Sequence, residues 1–337
     1  MINYVYQLIS PHTITQKYRP LSLTDKVLIR PEYMSICHAD QRYFTGERDA
    51  QVLKKKLPMA LIHEAMGHVV FDPTGNFKVG QKVVMIPNIP GASINGTYPN
   101  YLLDTKFRSS GVDGFMAEII ELDADRVVAC DDIDPIFASF CEFISVAFHA
   151  VDRFEKTITT AKDTIGVWGD GGLGFLVSLV LKYKFPQAKV CVIGLDESKL
   201  SRFTFADKTY TTSSIPEDFR VDHAFECCGG AGSYYAINQI IDVINPQGNI
   251  MLMGVVEKEV GINTRMVLER GLTLIGSSRS DRPDFEAAIK FLKNKRVCGH
   301  LKRIVSEVVE INSIVDIYDA FNRDLSNPYK TVLKWNI

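Results

Sequence analysis

Thr164-Ile165-Gly166-Val167-Trp168-Gly169-Asp170-Gly171-Gly172-Leu173-Gly174 is the stretch that decides the fold. Its first five residues form an apolar run that reads as a strand. Leu173, Leu176, Val177 and Val180 then recur at i, i+3, i+4 and i+7, the spacing of one helix face. A glycine turn between a strand and a helix start is the order a dinucleotide pyrophosphate needs. Gly169 permits the tight turn, Gly171 lets the backbone approach the phosphates, and Gly174 lets helix and strand pack closely. The helix N-terminus adds unpaired N–H groups and a positive dipole end. On this reading Gly169, Gly171, Gly172, Leu173 and Gly174 hold the nucleotide. A bare glycine triplet of this spacing also occurs in plain loops, so the flanking strand and helix carry the inference.

Outward from the turn, residues 145–275 alternate strands (164–168, 189–193, 221–226, 249–255, 272–276) with helices, the sign of a parallel sheet covered on both faces. One helix carries Ala236, Ile237, Ile240, Ile241 and Ile244 and is closed by Asn245-Pro246-Gln247-Gly248. Residues 1–135 read instead as short strands (4–9, 26–30, 67–71, 82–86, 115–121) divided by turns such as Asp72-Pro73-Thr74-Gly75-Asn76. Helical stretches at 283–293 and 313–321 and a strand at 331–335 close the chain. The expected class is α/β: a mostly β domain over 1–145, a doubly wound Rossmann domain with a parallel sheet over 146–276, and a tail, 277–337, that returns to the first domain. A length of 337 residues exceeds one average core and agrees with two domains.

Hydrophobic residues at 46% and charged residues at 23% are ordinary for a globular chain, and a formal net charge of -2 gives no reason to expect nucleic acid or an acidic membrane surface. Seven cysteines, an odd number without framework spacing, fit reduced thiols in a cytoplasm. The start, Met1-Ile2-Asn3-Tyr4-Val5-Tyr6, lacks the basic and apolar regions of a signal peptide. The apolar run 138–151 is short and interrupted by Glu142, so no membrane span is expected.

Three polar segments stand out: Ser35-Ile36-Cys37-His38-Ala39-Asp40, then His63-Glu64-Ala65-Met66-Gly67-His68, and much later Cys141-Glu142 leading to His149-Ala150. Thiolate, imidazole and carboxylate are the ligands zinc takes, and a catalytic zinc uses three and leaves a fourth position open. Singly, such residues are more often buried filler, and ligands this far apart form no local motif.

Cys37 to Asp40, His63-Glu64 followed by Gly67, Gly111-Val112-Asp113-Gly114-Phe115-Met116-Ala117-Glu118 and the glycine turn, in this order, resemble the zinc-dependent medium-chain alcohol and polyol dehydrogenases over nearly the whole chain. The resemblance implies a GroES-like catalytic domain and one catalytic zinc per chain, held by Cys37, His63 and Glu142, with Asp40 orienting His63. It implies that Glu64 sits against the metal and replaces water transiently. Many relatives hold a structural zinc with four cysteines, but residues 87–114 contain none, so no structural zinc is expected. Ala39 stands where alcohol dehydrogenases place a proton-relaying serine or threonine. The proton then has to pass by water, Glu64 or another polar group, Tyr43 being one candidate and a packing tyrosine the alternative.

At the end of the second nucleotide-domain strand, where NAD enzymes carry an acid, the chain has Gly194. That leaves room for a 2′-phosphate paired by Ser198, Lys199 and Arg202, which favours NADPH; Asp196 favours NAD if the match slips by two residues, and the basic pair also suits a solvated face. Arg42, Arg108 and Arg279 flank the polar segments. Each alone is an ordinary surface ion, while the three converging would make a phosphosugar pocket. Within the family, Asp40-Gln41-Arg42-Tyr43, Phe107-Arg108-Ser109-Ser110-Gly111, Trp168-Gly169-Asp170-Gly171 and Gly276-Ser277-Ser278-Arg279-Ser280 resemble the ribulose-5-phosphate reductase group. This implies zinc-assisted reduction of D-ribulose 5-phosphate to D-ribitol 5-phosphate by NADPH. The product would go to a cytidylyltransferase making CDP-ribitol for teichoic acid or capsule, and the enzyme would be a homodimer or homotetramer. The rival readings are a dehydrogenase of an unphosphorylated, sorbitol-like polyol and a non-enzymatic NADPH-binding protein.

Overall fold

The computed structural model describes residues 2–92 and 96–337. Met1, where the leader reading starts, and residues 93–95 of the cysteine-free lobe lie outside them. The chain divides into two compact units, Met1–Ser145 with Arg279–Ile337, and Val146–Ser278.

The unit Val146–Ser278 holds a six-stranded sheet in the order Lys208–Thr211, Lys189–Gly194, Thr164–Trp168, His223–Glu226, Asn249–Leu252, Thr273–Gly276, and every pairing is parallel. From Thr164–Trp168 the chain winds first to one edge, then returns and winds to the other. The reversal lies between Thr164–Trp168 and His223–Glu226, and a ligand crevice in such sheets forms outside the carboxyl ends of strands at that point. The helix Gly172–Lys184 buries Phe175, Leu176, Val177, Leu179, Val180 and Leu181, each worth about 1.5–3 kcal/mol relative to exposure. Ser178 in their midst returns its hydroxyl to the Gly174 carbonyl at 2.7 Å, so the buried polar group is satisfied. The edge strand Lys208–Thr211 was not anticipated, because its Lys-Thr-Tyr-Thr is at most half-buried and carries no apolar alternation.

The other unit is built on a seven-stranded sheet, Val127–Ala129, Lys82–Met85, Glu64–Phe71, Val27–Ser35, Lys330–Trp335 and Val305–Ile311 in order, with Ile120–Leu122 also paired to Val27–Ser35. A three-stranded sheet, Thr13–Pro20, Ile2–Ser10 and Met59–Ala60, accompanies it. The last strand pairs antiparallel with Val27–Ser35 and parallel with Val305–Ile311, so residues separated by some three hundred positions share one ladder.

The expected strand at 115–121 is corrected: only Ile120–Leu122 is a strand. Residues 114–116 instead cross residues 60–62, the N–H groups of Gly114, Phe115 and Met116 donating to the carbonyls of Ala60, Ile62 and Leu61 at 2.8, 2.8 and 3.3 Å. A Cβ on Gly114 would lie 2.2 Å from the Ile62 carbonyl oxygen, so only glycine permits the crossing. Phe115, Met116 and Ala117 are buried, and a buried apolar run reads the same in a crossing as in a ladder. The strand Thr13–Pro20 is largely exposed and escaped the pattern for that reason, while Val305–Ile311, also not anticipated, buries only Val309 and Ile311. In the cysteine-free lobe, Asn88–Ile89 pairs with Lys106–Phe107, Ala92 N–H donates to Asp104 at 3.0 Å, and Thr105 donates to the Pro99 carbonyl at 2.6 Å. Among the described residues no helix is long and apolar enough to cross a membrane.

Candidate active site

The strand Val27–Ser35 delivers Cys37 to the start of the helix His38–Phe44, where the Cys37 N–H donates to Asp40 at 3.3 Å. Asp40 is fully buried. Its other carboxylate oxygen accepts from the Ile62 N–H at 3.0 Å and the Ser109 hydroxyl at 2.5 Å. Ile62 has φ 69, a strained value for a β-branched residue, and it immediately precedes His63. The bonds from its N–H to Asp40 and from Phe115 to its carbonyl hold that conformation, and such strain gathers where geometry is functional. His63 Nδ1 then lies 3.4 Å from Asp40.

Ligand atoms lie within 4.8 Å of one another inside each of two sets, Cys37, Asp40 and His63, and His63, Glu64 and Glu142. His63 belongs to both. Glu142 comes from the first turn of the helix Cys141–Glu155, and Glu64 opens the strand Glu64–Phe71. Burial pushes the Glu142 carboxyl up, Glu64 adds to the effect and His63 opposes it, for a value of about 7. Burial would depress His63, but Asp40 and Cys37 outweigh it and raise its pKa well above the usual histidine value. Burial would raise Asp40, but His63, Ser109 and the Ile62 N–H prevail and lower it. Asp40 and His63 thus stabilise each other's charged forms in a dry site, while burial disfavours the charged form of Glu142.

Both oxygens of Glu64 are already engaged, one by the Lys330 ammonium and one by the Ser35 hydroxyl. Neither partner was anticipated: a lysine 266 positions away at the head of an apolar strand carries no local signal. Phe107 and Ser109 were named only within a motif, yet the Phe107 ring packs 5.3 Å from the His63 ring and Ser109 bonds Asp40.

The three arginines separate. Arg279, with φ 57, sets its guanidinium 5.0 Å over the Phe107 ring, within the electrostatic reach of Glu142. Arg108 is engaged within its own unit: its guanidinium donates to the carbonyls of Asp113 at 3.2 Å and Glu121 at 3.0 Å and covers the Phe115 ring. The strand Lys106–Phe107 ends just before Arg108, and Ser109 turns the chain at φ 61. Arg42 has Arg48 and Glu47 as its charged neighbours. Tyr43, a candidate for the proton path, is a core residue beneath Arg48 and Lys56, at 4.9 and 5.8 Å.

In the other unit, Gly169 has φ 133, as its turn requires, and a Cβ on Gly174 would fall 1.9 Å from the Gly169 carbonyl oxygen. Around Gly171 a Cβ would meet nothing within 4 Å, so its backbone is open to a ligand. The helix begins at Gly172, one residue before the apolar face starts. Gly194 is filled by its neighbour: a Cβ there would be 2.6 Å from Asp170 Cβ. The Asp170 carboxylate accepts from Leu195 and Asp196 N–H groups at 2.7 and 2.8 Å. Asp196 spends its own carboxylate capping the short helix Glu197–Leu200, accepting from Ser198 and Lys199 N–H groups. Ser198 is exposed, while Lys199 and Arg202 are half-buried.

A strand-turn-helix nucleotide site in one unit and a half-buried thiol beside a buried imidazole and carboxylates in a largely β unit define a zinc-dependent dehydrogenase. Residues 24–132 match the model of the alcohol dehydrogenase GroES-like domain and residues 203–294 that of the zinc-binding dehydrogenases, and the chain belongs to this medium-chain dehydrogenase family. It is 49% identical over 340 residues to a ribulose-5-phosphate reductase of Streptococcus pneumoniae, covering 100% of this chain and 98% of that protein. A reductase of the same name from Bacillus spizizenii is 48% identical and covered in full, as is this chain. The crystal structure of S. aureus TarJ in complex with NADPH superposes with a TM-score of 0.89 at 44% identity, covering 100% of both chains.

Proposed function

We propose that this chain reduces D-ribulose 5-phosphate to D-ribitol 5-phosphate with NADPH. The observation that carries the reading is the gathering of Cys37, Glu64 and Glu142 about His63, in a chain that matches reductases of that activity from end to end. The donor set fits zinc in chemistry, sulfur, nitrogen and oxygen, and in position, since Cys37, half-buried, and Glu142, buried, each bring a ligand atom within 4.8 Å of one on His63. Cys37, His63 and Glu142 would hold the ion, with Glu64 beside it. When bound, zinc supplies Lewis-acid polarisation of a ketone and NADPH supplies hydride.

The chain's own residues do the rest. Asp40 fixes the tautomer and direction of His63, and Ser109 and the Ile62 N–H fix Asp40. Arg279, braced on Phe107, clamps the phosphate in a forked geometry, so binding energy far from the reacting carbon sets orientation. Gly169, Gly171, Gly172, Leu173 and Gly174 receive the pyrophosphate at the start of the helix Gly172–Lys184, and Ser198, Lys199 and Arg202 meet the 2′-phosphate. The product suits a cytidylyltransferase that makes CDP-ribitol for teichoic acid or capsule. The enzyme works in the cytoplasm as a homodimer or homotetramer.

The test is NADPH oxidation with D-ribulose 5-phosphate, with D-ribulose, and with either after chelation. Turnover on the phosphate that is lost with the metal and returns with zinc is expected. Equal turnover on both ketoses, or full turnover after verified demetallation, overturns the reading.

A further inference from the structure

We infer that Lys330 and Ser35 form a latch that holds the Glu64 carboxylate off the metal position and so keeps one coordination place free for substrate. The inference rests on the zinc reading and goes beyond it, because it assigns a task to two residues that touch neither metal nor substrate.

Glu64 is fully buried, and an oxygen of its carboxylate lies within 4.8 Å of ligand atoms of both His63 and Glu142. A carboxylate so near a divalent ion is an ordinary zinc ligand. Joined to Cys37, His63 and Glu142 it would complete a four-coordinate, closed site of the structural kind, with no place for a ketone oxygen. Two bonds oppose that: Lys330 takes one oxygen and Ser35 the other.

The latch is itself held from both ligand-bearing segments. The Lys330 ammonium also donates to the carbonyl of Ile36, the residue before Cys37, at 3.3 Å, and lies 4.4 Å over the ring of Phe143, the residue after Glu142. Its backbone is anchored as well, since Thr331 accepts from the Ile36 N–H at 3.1 Å in the adjoining strand. Charge gives a second reason for a cation here. A divalent ion with one thiolate and two carboxylates carries one surplus negative charge, and a buried surplus is costly. Lys330 cancels it from a place only 8% exposed. Lys330 is therefore a positioning residue, and Ser35 assists it.

The experiment replaces zinc with cobalt(II) and follows the visible spectrum, with zinc release to a chelator as a second readout. In Lys330→Met, Glu64 should swing onto the metal: the cobalt spectrum changes, it ceases to respond to D-ribulose 5-phosphate, and zinc release slows about tenfold or more, the scale on which outer partners alter metal affinity. Lys330→Met with Glu64→Gln should restore the native spectrum and its response, which a merely structural lysine would not produce. Ser35→Ala, a mild change that guards against misfolding of the lysine variant, should move both readouts part-way. Native spectra and native release rates in Lys330→Met and Ser35→Ala overturn the latch. An unaltered chain that takes up neither metal overturns the zinc reading beneath it.

Discussion

Two alanine substitutions five and two residues into the same turn should fail in opposite ways. At Gly174 the new Cβ would lie 1.9 Å from the Gly169 carbonyl oxygen. That is about 1.6 Å short of a comfortable heavy-atom separation of about 3.5 Å. The obstacle is backbone, so no side chain can step aside, and helix and turn have to part. Overpacking of this kind costs about 1–3 kcal/mol. Alanine returns up to about 1 kcal/mol in a helix interior, so the clash wins and Gly174→Ala destabilises the fold. At Gly171, where φ is -84, a Cβ meets nothing within 4 Å, and the fold should be indifferent. A pyrophosphate resting on that backbone would not be. Losing one charge-assisted bond costs about 1.5–3 kcal/mol, which is about 10- to 150-fold in NADPH affinity. The assay is NADPH fluorescence titration beside urea denaturation. If Gly171→Ala lowers stability as much as Gly174→Ala, or leaves NADPH binding intact, the assignment of the turn fails.

Arg279→Asn, chosen because asparagine tolerates the φ of 57 at that position, should raise KM for D-ribulose 5-phosphate about 10- to 150-fold by loss of a charge-assisted contact; an equal loss on D-ribulose would remove the phosphate role. Asp40→Asn should weaken zinc about 10- to 100-fold by freeing the His63 ring, as read by chelator competition. The metal-free chain should lose stability as pH rises from 6.5 to 8. His63, raised well above 6.5, contributes stability that is complete below that value and lost through its folded pKa. Glu142, raised to about 7, binds its proton more tightly folded than unfolded, so its contribution also falls up to that pH. A chelated protein whose melting temperature climbs over that interval would contradict both shifts. Zinc should displace those protons, so its stabilisation should be larger at pH 8.

The nucleotide turn was legible because its chemistry is local: strand, glycines and helix lie within about twenty residues, and Gly174 answers to Gly169 five residues before it. The alternation of strands and helices that follows is likewise a short-range pattern. Cys37, His63 and Glu142 could be proposed only through the resemblance, since nothing in their spacing brings them together. Arg108 shows the limit. Its place in the motif suggested a substrate contact, but nothing near it in sequence announced the partners its guanidinium meets, the carbonyls of Asp113 and Glu121.

By itself, then, the sequence determined the class of fold, the nucleotide turn and the kinds of donor available for a metal, because residue type and near-neighbour spacing suffice for those. Tertiary structure alone decided which donors meet: Ile62 bent into positive φ, Asp40 clasped by Ser109, and Glu64 shared between Ser35 and Lys330. Those contacts join residues 22 to 266 positions apart. They exist because antiparallel pairing of Lys330–Trp335 with Val27–Ser35 and the crossing at Gly114 bring distant backbone together, and no local pattern encodes such a meeting.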